Sequence, residues 1–431
     1  MENIYLSPIT KTPSAVLDLP GSKSIANRVL LLSAIASGKS ILHNVPGVAE
    51  DVCLMLQALV ALGVKVEHLD TVNGASSYAI TGCDGQFPHV DATLFCGNSG
   101  TTIRFLTAAL AFMKGNQYTL TGIERMYERP ISDLVVALNL LGANVEYIQQ
   151  DGFPPLMIKR FMDNQIANVS ISGEVSSQFL TGLLMALPLL KRVITVSVEK
   201  GLISKPYVDI TRALLAKYGY EITYNENNIY SLPQGQLRGI EYTIEPDASS
   251  ASYFLALGAI RGRVRVNNLA QDSLQGDKNF AHVLKLMGAD VRYYARAIEV
   301  SSTNKLKAID INMQDMPDVA MTIAVMALFA HGTTTITGIA SWAVKETNRL
   351  QAMQNELSKL GAKVAITSDS IQVTPPDIIN TNIEIETYND HRMAMCFSLV
   401  AAYGVAVTIK DYQCVGKTFA NYFDLFKQIC Y

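Results

Sequence analysis

Six times along the chain, at intervals of 70 to 76 residues, a short polar phrase runs directly into a long apolar stretch of helical character. The phrases are GSKSIANR at Gly21, GNSGTTIR at Gly97, GEVSSQF at Gly173, PDASSASYF at Pro246, MPDVAMT at Met316 and YNDHRMA at Tyr388. The stretches that follow, such as VLLLSAIASG and SYFLALGAIRG, have almost no polar face, so the helices they predict are buried on all sides. A unit of this size cannot cover such a helix alone and must pack against its siblings. Six buried helix N-termini also present orphan N–H donors and the positive ends of helix dipoles, and both favour anions.

Each buried helix leads into a β-branched run, for example SILHNV from Ser40, VRVNNL from Val264 or VAVTIKD from Val405. In five repeats an amphipathic helix follows, and each ends in a glycine, at 63, 142, 219, 288 and 361, as a left-handed helix C-cap requires. A hairpin-like pair such as NVEYIQQDGFPPLMIK closes the unit. Six such units suit two α/β domains of three repeats better than an open solenoid, since neither end resembles a polar capping repeat. The Gly/Pro-bearing segment SLPQGQLRGI, residues 231–240, is the strongest boundary signal between the third and fourth units.

Hydrophobic residues make up 49% of the 431 positions and charged residues 17%, enough for large cores and far from a disordered composition. A net charge of -3, with no basic run, speaks against a nucleic-acid or membrane-surface binder. MENIYLSPITKTPS has no basic leader before an apolar core, so no secretory signal is read, and a cytoplasmic location is expected. The six cysteines form no CxxC pair and have no His at zinc spacing, so reduced thiols and no metal site are expected.

Within the phrases, Lys23, Ser24 and Arg28 lie close enough along the first helical turns to converge on one anion. The nearby SAIASGKS only superficially resembles a phosphate loop, because its first glycine is replaced by Ser33 and its GKS ends a helix. Gly100 would let a ligand approach backbone donors. Ser176 and Ser177, followed by Gln178, exceed what capping alone requires. Asp318 opens an apolar helix and is either a cap or a functional carboxylate. Lys345, Glu346 and Arg349 would ordinarily form a solvated helix face. His391 is expected to be packed or hydrogen-bonded, and Asp51 and Asp247 remain open between structure and ligand.

Taken in order, LPGSKSIANR, GNSGTTIRFL, ERMYERPISDLV, VSSQFLTGLLM, SKPYVDIT, DASSASYFL, PDVAMT, WAVKETNRL and TYNDHRMAM resemble the 5-enolpyruvylshikimate-3-phosphate synthases, or 3-phosphoshikimate 1-carboxyvinyltransferases. The resemblance runs from Leu19 to about Phe423. It implies two inside-out domains, each of three βαβαββ repeats, with the active site in the cleft between them. Residues 1–19 would join 246–431 in a discontinuous domain, and 20–245 would form the other. The implied reaction moves the enolpyruvyl group of phosphoenolpyruvate to the 5-hydroxyl of shikimate 3-phosphate, on the path to chorismate and the aromatic amino acids. The resemblance implies a cytoplasmic monomer that uses no cofactor.

By the same resemblance Asp318 is the base for the hydroxyl, Glu346 transfers a proton at the methylene carbon, and Lys23 contacts both substrates. Shikimate 3-phosphate would be held by Lys23, Ser24, Arg28, Ser176, Ser177, Gln178, Ser204, Tyr207, Asp318, Ser341 and Lys345. Phosphoenolpyruvate would be held by Lys23, Gly100, Arg129, Gln178, Arg349, Arg392 and Lys417. Arg104 and Arg125 are nearby basic residues that could instead be structural. Ser341, Asn348, Ala26, Phe105, Val415 and Gly416 depart from the commonest family pattern, but none of them is a proposed acid, base or cation.

Two rivals remain at this level. The sister transferase acting on UDP-N-acetylglucosamine usually opens with a GAKN-like phrase, whereas this chain has GSKS. A non-catalytic anion-binding relative would need the cations but not Asp318 and Glu346. A kinase is disfavoured by the absence of a phosphate loop and of an acidic magnesium motif.

Overall fold

A computed structural model of the chain describes residues 2–72, 75–115, 117–225, 227–303 and 305–431. The repeat at Gly97 shows the common plan: strand Asp91–Phe95, buried helix Gly100–Leu110, strand Gln117–Thr121, helix Ser132–Leu140 and strands Asn144–Tyr147 and Leu156–Lys159. The first two strands pair in parallel and the last two join as antiparallel neighbours, giving a four-stranded sheet. The opening strand is the part that hydrophobic periodicity alone did not show, because DATLF has only one buried side chain. The amphipathic helices end as expected: Gly63, Gly142, Gly219, Gly288 and Gly361 all have φ between 81° and 99°.

The chain divides into two compact units, Gly21–Ile244 and Met1–Pro20 with Glu245–Tyr431. In Gly21–Ile244, the strand Glu241–Thr243 pairs in parallel with Lys39–Val45 and completes the first sheet. Residues 231–240 lie inside this unit rather than at its edge. Ser231 and Leu232 belong to the strand Ile229–Leu232, and Arg238 bridges to Ser37. Leaving the first helix, GKS enters the strand Lys39–Val45, which removes the phosphate-loop reading.

In the other unit, Ser14–Leu17 pairs in parallel with Arg263–Asn267. The sixth repeat has no closing hairpin. Its sheet is completed by Ile4–Leu6, antiparallel to Val407–Ile409. The six phrases place their N-terminal turns together within each unit. In Gly21–Ile244, Asn27 Nδ2 donates to Thr101 Oγ1 at 2.7 Å and Arg104 Nη1 to Gln178 Oε1 at 2.7 Å. In the other, the hydroxyls of Ser252 and Thr322 lie 3.2 Å apart, and Thr322 lies 3.6 Å from Cys396 Sγ.

Five phrases cap their own helices. Ser22, Ser99, Ser176, Asp247 and Asp390 each accept a hydrogen bond from a first-turn N–H. The helix Ala320–Met326 is different: Val319 stands at its N-cap and no side chain caps it. Asp318 is therefore not a cap, and its carboxylate is available for other partners.

Candidate active site

In the unit Gly21–Ile244 the polar side chains of the repeat starts bond across repeats in several groups. Lys23 Nζ lies 3.0 Å from the buried carboxylate of Asp51, which anchors the lysine at the start of its helix. Arg28 is fully buried, and its Nε donates to Thr211 Oγ1 at 2.9 Å, Nη1 to the Ser24 carbonyl at 2.7 Å and Nη2 to the Tyr207 carbonyl at 3.1 Å. Burial lowers its pKa to about 10, so it remains a cation at neutral pH. These bonds bring together Ser24, Arg28 and Tyr207, three residues expected on the shikimate side. Ser204, in the left-handed region at φ 52°, starts the helix that carries Tyr207.

Gly100 sits against a pair of guanidinium groups. A Cβ there would meet Arg104 Nη1 at 2.6 Å, Arg129 Nη2 at 2.8 Å and Gln178 Oε1 at 3.1 Å. A methyl group would have to push both arginines, so the glycine sets the spacing of the cations. Arg129 Nη1 donates to the carbonyl and side-chain oxygens of Asn98 at 2.8 and 3.0 Å. Arg104 donates to Gln178 and to the Pro130 carbonyl, and its guanidinium lies 5.2 Å from the Phe179 ring centroid. Arg104 thus orients Gln178. Arg125, by contrast, forms an ion pair with Glu128 near the surface. Ser176 caps the helix on which buried Ser177 and Gln178 are the first two residues.

The other unit concentrates charge more strongly. Asp318 Oδ1 lies 2.9 Å from Arg349 Nη1 and 3.2 Å from Lys345 Nζ, and its Oδ2 lies 3.0 Å from Arg392 Nη2. Burial opposes ionisation of Asp318, yet Arg392, Lys345 and Arg349 together hold its carboxyl well below the usual carboxylate range. Trp342, the single tryptophan, donates its indole N–H to the Pro317 carbonyl at 2.7 Å and fixes the turn that delivers Asp318. Glu346 is 2.9 Å from Arg349 Nη2, which brings the expected acid and base onto one guanidinium. Lys345 has a lowered pKa because it is buried, with Asp318 opposing that shift.

Arg349 is 1% exposed and also donates from Nε to Asp390 Oδ2 at 2.7 Å. Three carboxylates therefore surround one arginine expected to hold phosphoenolpyruvate. Asp390 also accepts from the Arg392 backbone N–H at 2.9 Å, which makes it the organiser of both arginines. It was not singled out from the sequence, although it precedes His391 and Arg392 in a quoted phrase. Lys417 is buried at the end of the 3-10 helix Tyr412–Lys417, and Ser341 lies in the 3-10 helix Ala340–Val344. Asn348, a departure from the family pattern, caps the helix that begins at Arg349. His391 is packed, and neither ring nitrogen has a hydrogen-bond partner among the described residues, although Nδ1 lies 3.6 Å from Asp390 Oδ1. Burial, with Arg392, Lys417 and Arg349 nearby, holds it neutral.

A family model described as EPSP synthase (3-phosphoshikimate 1-carboxyvinyltransferase) matches residues 8–426. The chain belongs to the EPSP synthase family. It is 48% identical over 440 residues to the 3-phosphoshikimate 1-carboxyvinyltransferase of Ralstonia pickettii, covering 99% of both chains. With that of Cellvibrio japonicus it shares 47% over 433 residues, covering both completely. Its fold is similar to the solved EPSP synthase of Acinetobacter baumannii, with a TM-score of 0.78 at 25% identity over 100% of this chain and 98% of that one. The enolpyruvyl transferase NikO of Streptomyces tendae shares the fold at 15% identity, with a TM-score of 0.76 over 99% of this chain and 97% of that one. The mixed α/β architecture of paired small sheets and buried helices is thus that of the family. Among the described residues, no helix is long and apolar enough to cross a membrane.

Asp277 is a further buried acid outside the expected set. It lies in the 3-10 helix Gly276–Asn279 and accepts a hydrogen bond from the Ser249 hydroxyl. Burial and the charge of Asp318 push its pKa up from 3.8 to about 6, with Asp247 adding to the shift while Ser249 and Arg392 oppose it. The folded state binds this proton more tightly than the unfolded chain, so the group favours folding at low pH. That contribution is lost as pH rises through about 6. A shift of this size corresponds to about 3 kcal/mol. Asp277→Asn keeps an acceptor for Ser249 but no longer ionises. Its stability relative to the parent should rise by about 2–3 kcal/mol between pH 4 and pH 8. Denaturant unfolding at both pH values checks this, and a pH-independent difference would contradict it.

Proposed function

We propose that this chain transfers the enolpyruvyl group of phosphoenolpyruvate to the 5-hydroxyl of shikimate 3-phosphate and releases phosphate, acting as a cytoplasmic monomer. This is the reaction of aromatic amino acid biosynthesis for which its family is named. The observation that supports it best is the uncapped Asp318, held with Glu346 among Lys345, Arg349 and Arg392. A binder of anions needs the cations, but a proton-transfer enzyme needs the two carboxylates as well.

Shikimate 3-phosphate is taken by Lys23, Ser24, Arg28, Ser176, Ser177, Gln178, Ser204, Tyr207, Asp318, Ser341 and Lys345. The serine hydroxyls and helix N–H groups suit its phosphate. Phosphoenolpyruvate is taken by Lys23, Gly100, Arg129, Gln178, Arg349, Arg392 and Lys417, whose cations answer its phosphate and carboxylate. Asp318 removes the proton of the 5-hydroxyl as its oxygen attacks the enol carbon. Glu346 protonates the methylene carbon to give the tetrahedral adduct. It then takes a proton back as phosphate leaves and the double bond re-forms.

With three cations on it, Asp318 is a weak base. The anionic groups of the substrates compete with it for Arg392 and Lys345, and each contact they take restores its basicity. Binding thus prepares the base for the substrate that needs it.

Purified protein should release phosphate only when phosphoenolpyruvate and shikimate 3-phosphate are both supplied, without ATP. Release with UDP-N-acetylglucosamine in place of shikimate 3-phosphate would establish the sister activity. Substrate binding without turnover would establish the non-catalytic reading.

A further inference from the structure

PDASSASYF is the one repeat start to which the proposed function gives no ligand contact. Its helix, Ala248–Ile260, is buried almost throughout and carries Tyr253 at 1% exposure. The Tyr253 hydroxyl accepts a hydrogen bond from Arg392 Nη1 at 3.2 Å. Arg392 Nη2 points the other way, to Asp318 Oδ2 at 3.0 Å, so the two ends of the guanidinium meet different kinds of partner.

The tyrosine ring is itself fixed. It packs edge-on against Tyr422, with centroids 5.8 Å apart and planes at 80°. The Tyr422 hydroxyl is held in turn by the Ser398 hydroxyl at 2.8 Å and the Met395 carbonyl at 3.2 Å. Burial pushes the Tyr253 pKa far above its ordinary value, so this partner of Arg392 stays uncharged.

Arg392 differs from Arg349 in having a neutral partner, Tyr253, beside the single carboxylate of Asp318. Arg349 is braced by carboxylates and has its charge cancelled within the protein. A phenol fixes the plane of Arg392 without cancelling its charge. A guanidinium held in this way loses less rotamer freedom when an anion binds.

We propose that Tyr253 is a positioning residue that holds Arg392 by Nη1, so that Nη2 can pass from Asp318 to the anionic groups of phosphoenolpyruvate. This inference rests on the reading of Arg392 as a phosphoenolpyruvate contact. It also gives the fourth phrase a function beyond folding.

The test is Tyr253→Phe, which keeps the ring and removes the hydroxyl, measured beside Arg392→Ala and the double variant. Loss of a hydrogen bond to a charged group should raise KM for phosphoenolpyruvate about tenfold. KM for shikimate 3-phosphate should stay at its parent value. In the Arg392→Ala background the same change should have almost no effect, because the two residues act as one unit. If Arg392→Ala leaves KM for phosphoenolpyruvate unchanged, the reading of Arg392 fails and the inference falls with it. If Arg392→Ala raises KM and Tyr253→Phe does not, the inference alone is overturned. An equal rise in both KM values would assign Tyr253 a general structural role and overturn it too.

Discussion

Asp318→Asn is expected to lower kcat by about 10²–10⁴-fold while leaving the apparent affinity for phosphoenolpyruvate unchanged or improved. An amide keeps the shape of Asp318, and its oxygen can still accept from Lys345 and Arg349, but its NH2 then faces Arg392 as a donor and the group cannot accept the hydroxyl proton. It also stops competing with substrate anions for the same cations. Chemistry should therefore weaken while binding does not, a split that a misfolded variant would not produce. Steady-state kinetics with each substrate varied in turn decide the matter. Turnover close to the parent rate would remove Asp318 from proton transfer.

The largest effect on stability should come from Asp390→Ala. Asp390 is completely buried, holds Arg349 by two of its nitrogens and caps the helix His391–Phe397 through the Arg392 N–H. Its removal leaves a buried guanidinium short of a counter-charge, a situation that costs about 3–5 kcal/mol, with about 1 kcal/mol more for the lost cap. In a unit of this size the melting temperature should fall by on the order of 10 °C. Calorimetry reads that shift directly. A change of less than about 2 °C would mean that Asp318 and Glu346 suffice to neutralise Arg349.

The local parts of this structure were legible in the chain because local rules govern them. Gly63, Gly142, Gly219, Gly288 and Gly361 each stop a helix by a backbone requirement that no distant residue alters. The buried helices announced themselves by having no polar face. The strand Asp91–Phe95 did not, because its alternation is short and its partner, Gln117–Thr121, lies beyond an intervening helix.

The site divides along the same line. Residues that act from their own phrase, such as Lys23 or Gly100, could be picked out as candidates. Asp390 and Tyr253, which act by holding something far along the chain, could not. Asp390 braces Arg349 across 41 positions, and Tyr253 meets Arg392 across 139. Asp277 reaches back to Ser249 from a segment with no motif of its own. Nothing in the order of residues says which of the acids near Asp318 will share its cations. Asp318 was undecided for the opposite reason. A local rule offered a sufficient role as a helix cap, and only the structure shows that Val319 occupies that position.

The strand exchange has a consequence for how the molecule is made. Gly21–Ile244 is one uninterrupted stretch, so every strand of its sheets is present once Thr243 has been synthesised. The unit carrying Asp318 is different: Ser14–Leu17 waits for Arg263–Asn267, and Ile4–Leu6 waits for Val407–Ile409. Two early strands must therefore stay unpaired while a whole unit forms behind them, and such waiting edges are exposed to mispairing. Both strands are short, three and four residues, and Pro8 and Pro13 lie between them. Short, proline-flanked edges make poor templates for the wrong partner. During synthesis the carboxylates and arginines around Asp318 assemble last, on a scaffold whose earliest strands have been held in reserve.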